Sequence, residues 1–171
     1  MKSSHEIDYA IFGEEMQAVR LELDQDETVL AEAGSLMMMD GTVEMNTIFG
    51  DGSGKSQTIM DKLFSAGKRV LTGERLFMTT YTHRGPGKAH VTFAAPYPGK
   101  VIPMDLNQLD HKIICQKDAF LAAAKGVHIG IEFQRRLGVG FFGGEGFIMQ
   151  KLEGDGMAFV HAGGTVVEKT L

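Results

Sequence analysis

The sequence predicts an all-β protein, a duplicated β-sandwich or β-roll with one short helix. Three observations carry that expectation. Apolar residues recur mostly with period two, as where Val19, Leu21 and Leu23 alternate with Arg20, Glu22 and Asp24, which is the spacing of a half-buried strand. Gly is abundant, 22 of 171 residues, and Pro is scarce at 4, a balance that suits many tight turns and bulges. Segments with helical spacing are few.

Along the chain, Val19 to Leu23 forms the first clear strand. The cluster Asp24-Gln25-Asp26-Glu27 then reads as a turn and residues 28–31 as a second strand. The helix is expected over residues 56–66, where Ile59, Met60, Leu63 and Phe64 share one helical face. Ser56 or Thr58 can cap its start and Gly67 can end it. Residues 74–83, rich in Thr, Phe and Tyr, read as a strand. Residues 90–94 and 100–106 flank the turn signal Pro96-Tyr97-Pro98-Gly99. Cys115 falls in the apolar strand Ile113-Ile114-Cys115 and is expected to be a buried, inert thiol. Residues 118–124 are expected to form a short helical turn with Asp118 as N-cap. Val127, Ile129, Ile131 and Phe133 alternate with His128, Gly130, Glu132 and Gln134, the cleanest strand of the chain. Ile129, Ile131 and Phe133 should face inward, His128 and Glu132 outward. Residues 147–152 and 157–162 bracket Glu153-Gly154-Asp155-Gly156 as a hairpin.

A chain of 171 residues can bury its own core, and no shift in composition divides it, so one domain over residues 1–171 is expected. It carries an internal repeat. Leu23-x-x-Asp26 followed by Ala33-Gly34 aligns without gaps with Leu152-x-x-Asp155 followed by Ala162-Gly163. A fainter copy places Leu106, Ile113 and Leu121 beside Leu23, Val29 and Leu36. The expected hairpin repeats span about 16–37, 101–126 and 145–166.

Composition narrows the function. Lys plus Arg number 17 against 22 Asp plus Glu, a net charge of −5; no nucleic-acid partner is expected, since phosphate binding needs a concentrated basic face. One Cys permits no internal disulfide and suits a reducing compartment. The first residues hold no apolar signal region, and no run approaches the ~18 apolar residues of a membrane span. A cytoplasmic protein without a transmembrane segment is expected.

The chemical motifs are weak. Gly50-Asp51-Gly52-Ser53-Gly54-Lys55-Ser56 resembles a phosphate-binding loop, but Phe49 stands where the first Gly of G-x-x-x-x-G-K-[ST] belongs. Gly138-Val139-Gly140-Phe141-Phe142-Gly143 matches G-x-G-x-x-G by letter, yet Gly144 and Gly146 follow where a helix should open. The six histidines are dispersed. His128 and Glu132 share a strand face and would need His161, or His111, to complete a metal site; solvated or hydrogen-bonded histidines are the default, and no cofactor is expected. Ser35 lacks the G-x-S-x-G frame. Leu36-Met37-Met38-Met39 and the pair Phe141-Phe142 are too apolar for strands with one wet face, so these six residues are the interface candidates.

Several phrases together carry a resemblance: Ala31-Glu-Ala-Gly-Ser-Leu-Met-Met-Met-Asp40, Leu71-Thr-Gly-Glu-Arg-Leu-Phe-Met-Thr79, Ala94-Ala-Pro-Tyr-Pro-Gly-Lys-Val101, and Phe141-Phe-Gly-Gly-Glu-Gly-Phe-Ile-Met-Gln-Lys-Leu152. From about Phe12 onward the chain resembles the altered-inheritance-of-mitochondria protein 24-like family, long regarded as a domain of unknown function. The resemblance implies a fold similar to the tryptophan RNA-binding attenuation protein (TRAP-like, a double-stranded β-helix), internal duplication and a homotrimer. It carries over no catalytic motif. It also implies further strands beyond Ala162-Gly163-Gly164, so this chain is expected to be short at its C-terminal end. The expected function is a non-enzymatic oligomeric scaffold or binding protein. The alternatives are a small-ligand or RNA binder of TRAP type and a metal-dependent enzyme using His128 and Glu132.

Residues 50–56 are expected not to bind nucleotides. Calorimetric titration with ATP or GTP and Mg²⁺ should show no heat of binding; a micromolar affinity abolished by Lys55→Ala would reverse that reading.

Overall fold

The computed structural model describes residues 3–32, 34–49, 77–135 and 147–170. Its strands are β1 (Asp8–Phe12), β2 (Ala18–Leu23), β3 (Thr28–Glu32), β4 (Leu36–Met39), β5 (Val43–Phe49), β6 (Phe77–His83), β7 (Ala89–Ala94), β8 (Gly99–Asp105), β9 (Lys112–Gln116), β10 (Phe120–Ala124), β11 (His128–Arg135), β12 (Phe147–Glu153) and β13 (Met157–Gly163). They form three antiparallel sheets, ordered β1-β2-β7-β4, β5-β6-β3-β10-β13-β8 and β11-β12-β9. Helical structure among the described residues is confined to 3-10 turns at Leu106–Gln108 and Lys117–Ala119. The expected helix over residues 56–66 lies outside the described residues, as do both glycine-rich motifs.

The six-stranded sheet is the middle layer. One face packs on the four-stranded sheet around Leu21, Leu23, Val29, Ala31, Val91, Phe93, Leu121 and Phe159. The other packs on the three-stranded sheet around Leu30, Ala123, Val127, Ile129, Leu152, Ala158 and Val160. Strand β3 shows how one segment serves both layers: Val29 and Ala31 enter the first core, and Leu30 enters the second. A strand buried on both faces reads as an unbroken apolar run. This explains why residues 118–124 are a strand after a 3-10 turn and not the expected helical turn. Phe-Leu-Ala-Ala-Ala has good helical propensity, but all five residues are buried between two neighbouring strands, and tertiary packing overrides propensity. The small alanines let β10 lie under both covering layers. A bulge between Phe120 and Ala122 turns Leu121 and Ala122 into the same core.

Segments expected to be hairpins are instead corners between layers. β2 pairs with β1 and β7, whereas β3 pairs with β6 and β10. In the same way β12 pairs with β9 and β11, and β13 with β8 and β10. Each of these two connections takes the chain from an outer sheet into the central one through an acidic turn. In both, a carboxylate closes backbone N–H groups. Glu27 Oε2 accepts from the Asp24 N–H at 2.9 Å. Asp155 accepts from Ser3 N at 2.6 Å, Ser3 Oγ at 3.1 Å and Ser4 N at 2.9 Å. The N-terminal segment is thereby stapled to the β12–β13 corner. Gly126 makes the close approach possible: a Cβ there would stand 2.6 Å from Ser4 Cα, and its φ is +107°.

Strand β11 corrects one inward assignment. Ile129 is fully buried, and His128 and Glu132 are exposed as expected, but Ile131 is only half-buried. A bulge between Ile131 and Phe133 shifts the pairing with β12 and breaks the strict alternation. The side chain of Phe133 lies outside the described residues.

Ile129→Ala is expected to cost about 2–4 kcal/mol, the usual cavity penalty, and Ile131→Ala clearly less; denaturant melts of the pair check the order, and an equal loss would show the bulge to be misplaced. The second expectation concerns acid. Hydrogen bonds from Ser3 and Ser4 hold the Asp155 carboxyl well below its ordinary value of 3.8. A depressed folded-state value stabilises fully above the ordinary value and is lost as the pH falls toward the folded one. Asp155→Asn should therefore destabilise at pH 7, by about 0.5–1 kcal/mol once screening by solvent is allowed for, and the difference from wild type should shrink below pH 4 in melts followed by circular dichroism.

Candidate functional site

The central strands end in a polar cleft. β3 finishes at Glu32, β10 begins at Phe120 and β13 carries His161, and the pairings Ala122–Ala31 and Phe120–Val160 bring these ends together. The connection from β3 to β4 adds Ser35, and the turn from β7 to β8 adds Tyr97. Together they line an open cleft of about 300 Å³, to which Glu32, Ser35, Tyr97, Asp118 and His161 contribute polar groups among apolar walls from Ala94, Pro96 and Leu121.

His161 is the most unusual group. It is 4% exposed, and among the described residues neither ring nitrogen has a hydrogen-bond partner. An unmet buried polar atom is costly, so native structures hold few of them. The Tyr97 ring covers it edge to face, centroids 4.7 Å apart at 79°. On another side the ring presses on Gly99, where a Cβ would lie 2.6 Å from His161 Nε2. Burial pushes the imidazole below its ordinary 6.5, which keeps it neutral at pH 7.

The rest of the cleft carries two carboxyl groups, Glu32 and Asp118. Burial, and then the charge of Asp118, pushes the Glu32 carboxyl up, with Lys117 opposing. Ser35 Oγ donates to the Glu32 carbonyl at 2.8 Å. The Tyr97 hydroxyl donates to the Asp118 carbonyl at 3.2 Å.

The metal candidates do not come together. His128 and Glu132 stand on an outer sheet, where Glu132 pairs with Lys112 at 3.3 Å and Lys151 at 3.8 Å. His161 belongs to the central sheet. His111 Nδ1 lies 3.2 Å from the Gly154 carbonyl. His90 meets two carboxylates, Glu22 at Nε2 (3.3 Å) and Asp40 at Nδ1 (3.4 Å); these nitrogens point apart, so the two acids cannot share one ion with the ring. Among the described residues no set of three His, Cys, Asp or Glu side chains is placed to hold a metal. Cys115 is half-buried, and burial, with the charge of Glu32, pushes its thiol up to about 11.

The interface candidates divide. β4 is an edge strand. Leu36 tucks against the first core, whereas Met37, Met38 and Met39 are 58%, 54% and 39% exposed. Phe141 and Phe142 lie outside the described residues. Sequence reasoning passed over Glu32, Tyr97 and Asp118. A carboxylate closing the buried run Val29-Leu30-Ala31 was the available signal for Glu32. Tyr97 was hidden inside a turn motif that explained itself.

Three antiparallel sheets stacked around two cores define the class, a layered all-β protein. The chain belongs to the family described as mitochondrial biogenesis AIM24, whose family model matches residues 9–171. No curated protein matches it. Its fold is similar to the crystal structure of protein SPYM3_0169 from Streptococcus pyogenes, with a TM-score of 0.63 at 18% identity. That match covers 92% of this chain and 65% of the streptococcal one, so the chain spans about two-thirds of the longer protein's length. No helix among the described residues is long and apolar enough to cross a membrane.

Proposed function

We propose that this chain is a non-enzymatic scaffold that associates with copies of itself, closing as a homotrimer, through the edge formed by β4 and β5. One observation carries the reading: the short turn at residues 40–42 takes the chain from the edge of the outer sheet to the edge of the central sheet, so two strand edges that are unpaired among the described residues adjoin. Met37, Met38 and Met39 on one edge and Met45, 53% exposed, on the other give it an adaptable apolar surface. An edge strand with unpaired backbone groups is a template for another strand, and soluble proteins leave few such edges apolar. Closure into a ring is the usual outcome for soluble homo-oligomers. The number three comes from the family resemblance.

The nucleophile candidates support a non-catalytic role. Ser35 Oγ spends its proton on main-chain carbonyls, that of Glu32 at 2.8 Å and that of Leu121 at 3.4 Å. Cys115 is kept in its thiol form, and a thiol is a poor nucleophile.

Light scattering on the wild type at micromolar concentration should give a trimer, and a monomer would sink the proposal. Met38→Asp places a charge in the contact and should weaken assembly by about tenfold or more, since burying an unpaired charge is costly. A trimer that survives Met38→Asp and Met45→Asp together would move the interface elsewhere.

A further inference from the structure

The cleft adjoins the start of β4 at Ser35, and assembly through the β4–β5 edge leaves its polar groups without a role. Its floor is a neutral imidazole with both nitrogens unmet. Its polar rim is acidic, from Glu32 and Asp118. We propose that the cleft is a binding site for a small planar organic cation bearing N–H donors, which hydrogen-bonds to His161 and Glu32 and lies along Tyr97.

Each part of that chemistry answers a feature of the site. A neutral imidazole offers one lone pair and one N–H. A ligand N–H reaching His161 would remove the penalty of a buried acceptor left without a partner. The carboxyl groups of Glu32 and Asp118 select for positive charge and against an anion. The raised value of Glu32 points the same way, because burial and a neighbouring negative charge are what a bound cation would relieve. The apolar walls and the Tyr97 face suit a flat body, and cations bind aromatic faces favourably. A volume near 300 Å³ admits a small molecule and excludes a folded partner.

Tyr97 is the cover. It is 40% exposed, stands on the turn at residues 96–98 and is held through its hydroxyl to the Asp118 carbonyl at 3.2 Å. Because the ring nitrogens of His161 are buried, a ligand reaches them only as Tyr97 swings out. Its rotation breaks one neutral hydrogen bond and the ring contact with His161, and moves a side chain that is already partly in solvent.

The test uses the full chain with benzamidinium, a planar cation, beside benzoate, an anion of the same shape. NMR reads the imidazole resonances of His161, assigned through their connectivity to its own backbone. Benzamidinium is expected to shift them saturably with a millimolar or tighter Kd, and benzoate to leave them in place. Glu32→Gln should weaken benzamidinium about tenfold. Three results overturn the proposal: His161 resonances unmoved by benzamidinium up to its solubility, an equal response to benzoate, or an unchanged affinity in a folded Glu32→Gln. Should that variant fail to fold, the two probes on the wild type decide alone.

Discussion

The inner strands of the central sheet, β3 and β10, are buried on both faces, and the rest of the structure follows from that constraint. A doubly covered strand has no solvent side on which to place polar residues. β3 and β10 are therefore almost wholly apolar, and β10 is reduced largely to alanine so that two layers can approach it. The four-stranded and three-stranded sheets each keep one wet face, and their strands alternate accordingly, as β2 and β9 do. In the doubly covered β3 polar residues stand only at the two ends, Thr28 and Glu32. The cleft at Glu32 and His161 occupies such an end.

Much of this was legible in the sequence, and the exceptions share a cause. The alternation of Val19, Leu21 and Leu23 located β2, and the turn signal at residues 96–99 located the passage from β7 to β8. Period-two reasoning works where one face is wet. It fails for residues 118–124, where burial on both sides erases the period and leaves a string that reads as helix. It also fails at Ile131, because a bulge moves side chains without changing the sequence pattern. Pairing was the least legible property. An acidic turn between two apolar strands looks the same whether the strands pair with each other or part into different sheets.

The candidate site was hidden for a related reason. His161 was visible as a residue, but its character depends on Tyr97 and Gly99, some sixty positions earlier, which close around it only through the β8–β13 pairing. Nothing local distinguishes it from His111 or His128, whose rings lie at exposed positions. The methionine edge is the opposite case. Four consecutive large apolar residues violate the strand pattern in place, so their exposure could be read without knowing what surrounds them.

The layer-crossing corners have a consequence for how the chain comes together. Strands adjacent in sequence separate into different sheets at the β2–β3 and β12–β13 corners, and β3 finds its partners in β6 and β10. Local pairing is available to β1–β2, β5–β6 and β11–β12, but the central sheet stays open until its late strand β13 arrives beside β10. Such a topology folds slowly, because loop closure must precede the contacts that reward it. During synthesis on the ribosome the apolar faces of β2 and β3 emerge long before their cover does. The chain therefore passes through a window in which its most hydrophobic strands are the least protected, and escape from that window rests on the C-terminal third of the sequence.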